Sequence, residues 1–321
     1  MKRATWAGAS LMMVLAQLAG AQAYPNKPIR LVVPFPAGGG ADFVGTTIET
    51  KLSEALKQPV VLEHHPGAAG VAGVQLIAKA TPDGYSLLVG GLSTMSVQPV
   101  TNPKLPYDPI RDFAPISRLA VNPLVLVVHP SLPVNSVKEL VTLARSKPGQ
   151  VTYGSTGHGG TQHLAMEWLR VATGIKVVHI AFEGGAPARA ALFAGEISAY
   201  FSGVPGALPH VKTGKLRALA VSSSKRWSEL PSVPTVDESG VPGFECVVWY
   251  GLFAPAKTPK DIVDRLNAEV VKVLEHPETA RQFTVRGAEP TPSTAEGLGK
   301  YLREDHERWK NVVKTTGIKL N

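Results

Sequence analysis

Cysteine is nearly missing from this sequence: Cys246 is the only one among 321 residues. No internal disulfide is possible, so a buried apolar core must hold the fold, and hydrophobic residues make up 44% of the chain. Cys246 sits in an apolar run, which suits a small buried residue better than a nucleophile. Acidic residues are outnumbered, 25 against 33 Lys plus Arg, for a formal net charge of +8. The bases form no dense run interleaved with aromatics, so a nucleic-acid surface is not expected. Long hydrophobic runs are scarce as well. The stretch Trp6–Ala19 is about 14 residues, where a bilayer span needs roughly 20. No later stretch approaches that length without charges.

Familiar catalytic and nucleotide motifs are absent too. A dinucleotide fingerprint counted from Gly38 has Gly40 in place but Phe43 where the third glycine belongs. No phosphate-cradling G-x-x-x-x-G-K-[ST] occurs. Gly154-Ser155-Thr156-Gly157 is G-S-x-G, not the G-x-S-x-G of a nucleophile elbow. His163 and Glu167 lie four apart, but H-E-x-x-H is missing and no third metal ligand suggests itself. No catalytic residue, metal or cofactor is therefore expected.

What is present begins with an export signal. Lys2 and Arg3 precede the short apolar stretch, and Ala21-Gln22-Ala23 follows it. This pattern predicts a signal peptide over 1–23, cleaved after Ala23. Beyond it, β-like runs alternate with helical patterns. The runs are Ile29–Val33, Val60–Glu63, Ser86–Gly90, Leu124–His129, Lys176–Ala181, Leu216–Ser222 and Val247–Phe253. Several are continuous Val, Leu and Ile, as in strands buried on both faces of a parallel sheet. Between them, Val44, Ile48, Leu52 and Leu56 form one helical stripe. Further stripes run through Val137, Leu140, Val141 and Ala144, and through Ile262, Leu266 and Val270. Leu298, Leu302, Trp309 and Val312 predict a last helix ending near Gly317. Alternating strands and helices imply an α/β fold. Pro115–Pro123 and Pro231–Gly243 read as two connections between lobes. They place one lobe at 24–121 plus 247–321 and the other at 122–246.

Glycine-rich loops follow three of the predicted strands: Pro34–Asp42, Gly154–His163 and Phe182–Pro187. Parallel α/β sheets bind ligands beyond the carboxyl ends of their strands. Helix N-termini there offer unpaired N–H groups that suit a small anion. The loops hold no Lys or Arg, so backbone amides, Ser155, Thr156, Thr161 and water would have to hold one. Asp42 is expected to cap the helix that carries Val44 and Ile48. His64 and His65 read as surface polar residues, and Trp168, four after Leu164, as core. Trp249 and Tyr250 lie on the return crossing, where one of them is expected to face the cleft.

Tyr24-Pro25-Asn26-Lys27-Pro28-Ile29-Arg30, then Val33-Pro34-Phe35-Pro36-Ala37-Gly38-Gly39, resembles the mature start of the tripartite tricarboxylate transporter receptors, the TctC or Bug family. The likeness continues through Pro66–Gly70, Pro82–Tyr85, Leu105–Pro109, Asp112–Ile116, Leu216–Val221, Gly240–Phe244 and Ala254-Pro255. It implies a two-lobed periplasmic-binding-protein fold of the Venus flytrap type II class, with a mainly parallel sheet in each lobe. It also implies a monomeric periplasmic receptor for a small organic carboxylate: a dicarboxylate, tricarboxylate, acidic amino acid or aromatic acid. The expected partners are the membrane subunits of a tripartite transporter, or a sensor in their place. Loops and resemblance together yield the candidate ligand-binding residues. These are Phe35, Ala37, Gly38, Gly39 and Asp42 from the first loop. Ser155, Thr156, Gly159, Gly160, Thr161 and His163 come from the second, with Gly185 and Ala186 from the third and Ser202 beyond it. The sequence departs from the family pattern at Gly45-Thr46, at Glu183 and at Ser202, where Arg, a basic or polar residue, and Asp are frequent. The alternative is an exported hydrolase of small carboxylate esters.

Overall fold

A computed structural model of the chain describes residues 24–157, 160–182 and 185–316. The expected signal peptide, the helix end near Gly317, and His158, Gly159 and Glu183 lie outside these residues. The first unit of the fold is β1 (Ile29–Val33), α1 (Gly40–Leu56), β2 (Val60–His64), α2 (Val71–Ala78) and β3 (Ser86–Gly91). The stripe Val44, Ile48, Leu52 and Leu56 is buried on one face of α1, as its spacing requires. A π-helical turn (Leu92–Val97) and the short α3 (Gln98–Thr101) lead to β4 (Phe113–Val128). The second unit runs through α4 (Val137–Ser146), β5 (Thr152–Ser155), α5 (Thr161–Thr173), β6 (Val178–Ala181), α6 (Gly185–Phe193), β7 (Ala199–Gly203), α7 (Val204–Lys212) and β8 (Arg217–Val221). The chain then returns along β9 (Val247–Pro255) to α8 (Lys260–Glu275), α9 (Pro277–Val285), β10 (Glu289–Pro290) and α10 (Ala295–Thr316).

The strand order is β2-β1-β3-β9-β4-β7-β5-β6, with β8 and β10 also paired to β4. Each end of this path is a parallel trio: β2, β1 and β3 at one, β6, β5 and β7 at the other. Between them β4 and β9 run antiparallel to their neighbours. The architecture is thus α/β and two-lobed, with a parallel unit in each lobe and two antiparallel strands joining them. Pro115–Pro123, read from the sequence as a connection between lobes, forms the first part of β4 and pairs with β9. Proline cannot donate to a ladder, and the register shifts between Pro115 and Ser117 accordingly. Two strands, β5 and β7, are missing from the apolar runs, although the loop at Gly154 called for a strand where β5 stands. Both are short, at four and five residues, and glycine interrupts their pattern (TYGS and AYFSG).

The core crosses between the two halves. Trp309 and Val312 near the end of α10 share one buried cluster with Tyr153, Leu164 and Phe201 of the second unit. Trp168 packs on Phe244 at 4.6 Å and meets Trp309 edge-on at 6.1 Å, as core packing predicts. Trp249 is fully buried, and its Nε1 donates to Asp305 Oδ2 at 2.8 Å. Cys246 is buried beside them, and desolvation pushes its thiol pKa well up, so it is no nucleophile.

Candidate ligand-binding site

The first loop leaves β1 at its carboxyl end and turns sharply into α1. Gly38 makes that turn with φ +86°, a conformation only glycine adopts without strain. The helix cap is Gly39, which has no side chain to bond the first-turn amides. Asp42 is therefore not the cap. It stands in the first turn, and its carboxylate reaches back to accept the Gly38 N–H at 2.7 Å. The same carboxylate lies 2.7 Å from His64 Nε2, so His64, exposed as a surface polar residue should be, is also a partner of the loop. These contacts, the Gly38 amide first and His64 second, hold the Asp42 pKa below the usual carboxylate value.

Because β1 and β3 are parallel neighbours, the loop after β1 lies beside the turn after β3. Between them opens a cavity of about 350 Å³. Phe35, Ala37, Gly39 and Gly40 line it from the first loop, and Val89, Gly91, Leu92, Ser93 and Thr94 from the β3 end. Val248 and Tyr250 close it from β9, and Thr161 reaches it from the first turn of α5. Among the described residues, no Asp, Glu, Lys, Arg or His lines it. Burial pushes the Tyr250 phenol up to about 12, so the hydroxyl stays protonated as a donor at neutral pH. That hydroxyl sits against Gly40, where any Cβ would collide with it. Strand alternation settles the expectation for the return crossing: Trp249 turns into the core and Tyr250 to the cavity.

The second loop is built differently. Ser155 ends β5 fully buried, with its Oγ 2.6 Å from His179 Nε2 on β6 and accepting the Gly157 N–H at 3.1 Å. The His163 ring lies 4.2 Å from that of His179, nearly parallel, and Tyr153 stacks on His179 at 4.9 Å. Thr156 Oγ1 donates to Gln162 Oε1 at 2.8 Å. Gly160 caps α5 without a side-chain bond, which leaves that helix start as bare as the start of α1.

Of the predicted site residues, the cavity brings together Phe35, Ala37, Gly39 and Thr161. Gly38 turns its amide to Asp42, and Asp42 lines a separate, charged depression with Arg281 and Arg286. Gly185 and Ala186 start α6, with the Tyr200 hydroxyl 3.3 Å from where a Cβ on Gly185 would stand. Ser202 is buried opposite Val125 on β4, its hydroxyl bonded to the Gly203 carbonyl at 3.3 Å. Gly159 lies outside the described residues. The sequence reading missed Leu92, Ser93, Thr94 and Val248. The signal for the first three was available: β3 is a second parallel strand, so its carboxyl end had to face the ligand side as well.

Comparison with known proteins matches residues 44–318 to the model of the tripartite tricarboxylate transporter family receptors. Protein BugT of Bordetella pertussis is 34% identical over 307 residues, which cover 95% of this chain and 94% of BugT. Among solved structures, R. palustris Rpa4515 with adipate is 33% identical with a TM-score of 0.77, covering 92% of this chain and 99% of that one. MatC from Rhodopseudomonas palustris with bound malate is 31% identical with a TM-score of 0.74, covering 90% and 100%. Among the described residues, no helix is long and apolar enough to cross a membrane.

Proposed function

The chain belongs to the tripartite tricarboxylate transporter receptor family, and from that premise we propose that it is an exported receptor whose two lobes close on a small organic carboxylate. One observation carries this reading: two helix starts without side-chain caps, at Gly39 and Gly160, stand on opposite units, and residues of both turns line one cavity. First-turn amides lack intrahelical acceptors, and the helix dipole favours negative charge there. A carboxylate between them is held by peptide N–H groups, the Thr161 hydroxyl, the Tyr250 hydroxyl and water, with no salt bridge. Adipate and malate, bound by the two Rhodopseudomonas neighbours, are carboxylates of the size such a site takes.

In this reading the lobes are 24–121 plus 247–321 and 122–246, and closure bends β4 and β9 where they pass from one sheet to the other. The apparent affinity is the sum of contacts from both lobes less the cost of closing. Residues 1–23 direct export and leave at Ala23, which delivers the receptor to the periplasm. There it passes its ligand to the membrane subunits of a tripartite transporter or reports it to a sensor. A thermal-shift series with small carboxylates tests the reading. A true ligand at a hundredfold excess over its Kd stabilises the fold by about 2.7 kcal/mol. A complete set of carboxylates that leaves the melting temperature unmoved would overturn it.

One contact favours a second reading, the hydrolase: the Ser155 hydroxyl lies within 2.6 Å of the His179 imidazole, the spacing of a nucleophile and its base. The serine is fully buried, however, and a nucleophile must be reached by its substrate. Ester turnover by pure protein, lost in Ser155→Ala, would establish that reading instead.

A further inference from the structure

We infer that this receptor prefers a monocarboxylate with an apolar body, aryl or medium-chain alkyl, over the matching dicarboxylate. The inference rests on the reading above, in which one carboxylate occupies both helix starts. What remains of the cavity after that group is placed decides the rest of the ligand. The walls there are Val89, Leu92 and Val248, with the rings of Phe35 and Tyr250. The neutral hydroxyls near them are partly engaged already. Thr94 Oγ1 bonds the Gly91 amide and carbonyl, each at 3.4 Å.

Two charged groups near the first loop, Asp42 and Arg286, line a separate depression and turn elsewhere. Asp42 is committed to Gly38 and His64, and Arg286 lies over the Phe43 ring at 4.7 Å on the far side of α1. A second carboxylate in this space would lose its water and meet no cation among the described residues that line it, and burying an unpaired charge is strongly unfavourable. An apolar body instead gains from leaving water. The volume agrees: an apolar cavity of about 150 Å³ accommodates a benzene ring, so about 350 Å³ has room for one ring or a short chain with its acid group.

The test compares acids that differ only in the second carboxylate, by isothermal titration of the mature chain. Hexanoate is set against adipate, and benzoate against terephthalate. Each monoacid should bind at least tenfold more tightly than its diacid. Equal or tighter binding of the diacids would overturn the inference and leave the carboxylate-receptor reading standing. Silence from all four acids and from the wider carboxylate series would overturn both. Ser93→Arg places a cation on the exposed rim of the same cavity. It should narrow or reverse the preference; an unchanged ratio would show that the ligand's body lies elsewhere.

Discussion

The first and second glycine-rich loops look alike on paper: each follows a parallel strand, and each opens a helix through a glycine cap. In the fold they do opposite things with their polar groups. The first loop ties its one acid back onto its own Gly38 amide and to His64, and presents a face without charge to the cavity. The second turns its serine inward, against His179, whose ring stacks with those of His163 and Tyr153, and among its described residues it offers the cavity only Thr161. The lesson is that a glycine-rich βα loop supplies bare amides, but its side chains can be spent on holding the loop rather than the ligand. The first loop is arranged for contact and the second for anchorage.

That contrast can be broken at its strongest point by Gly40→Leu. The new side chain would occupy the place of the Tyr250 hydroxyl and fill the cavity. Titration should show binding reduced more than a hundredfold, while overpacking costs roughly 1–3 kcal/mol of stability in denaturant melts. Ser155→Ala should do the reverse. It removes the buried partner of His179 and of the Gly157 amide, so denaturant unfolding should register a loss of about 1–3 kcal/mol. Affinity of the folded fraction should change by less than about tenfold, a bound of roughly 1.4 kcal/mol.

Gly38→Ala sits between these. Nothing crowds a Cβ at that position, but φ +86° disfavours any side chain by about 1–2 kcal/mol, which the same melts would detect. The smallest effect, and the one that sharpens the comparison, is Asp42→Asn. Asp42 has its folded pKa lowered, chiefly by the Gly38 amide and next by His64. Its contribution is therefore fully present above the ordinary carboxylate range and is lost as the pH falls through the lowered folded value. Wild type should melt above Asp42→Asn at about pH 5, and the two curves should converge as the pH falls through the lowered folded value. Parallel curves across that window would mean the charge plays no part in ordering the first loop.

How much of this was legible beforehand depended on the range of the interactions involved. The stripe Val44, Ile48, Leu52 and Leu56 predicted α1, since burial of one helix face is written at a spacing of four. The run Ile29–Val33 is β1 residue for residue, because a strand covered on both faces must be apolar throughout. The first half of β4 was hidden because its two prolines signal a connection, and its ladders to β9 and β10 make it a strand. Asp42 was read as a cap from its place before an apolar stripe. The glycine at φ +86° shifted the helix start earlier and left the carboxylate to reach backwards. Tyr250 and Trp249 shared one expectation until the alternation of β9 assigned one to the cavity and the other to Asp305.

By itself the sequence determined the α/β alternation, the glycine-rich turns after the strands, the absence of cations in those turns, and the membership of the family. These follow from local periodicity, backbone freedom and composition, and none requires a neighbour distant in the chain. Only the tertiary structure decided which polar groups are left over. It joined His64 to Asp42 and His179 to Ser155, and it set Val248 and the β3 turn opposite the first loop. Hydrogen bonding saturates: a donor or acceptor engaged by one partner is withdrawn from the next, so a site's chemistry is what folding leaves unspent.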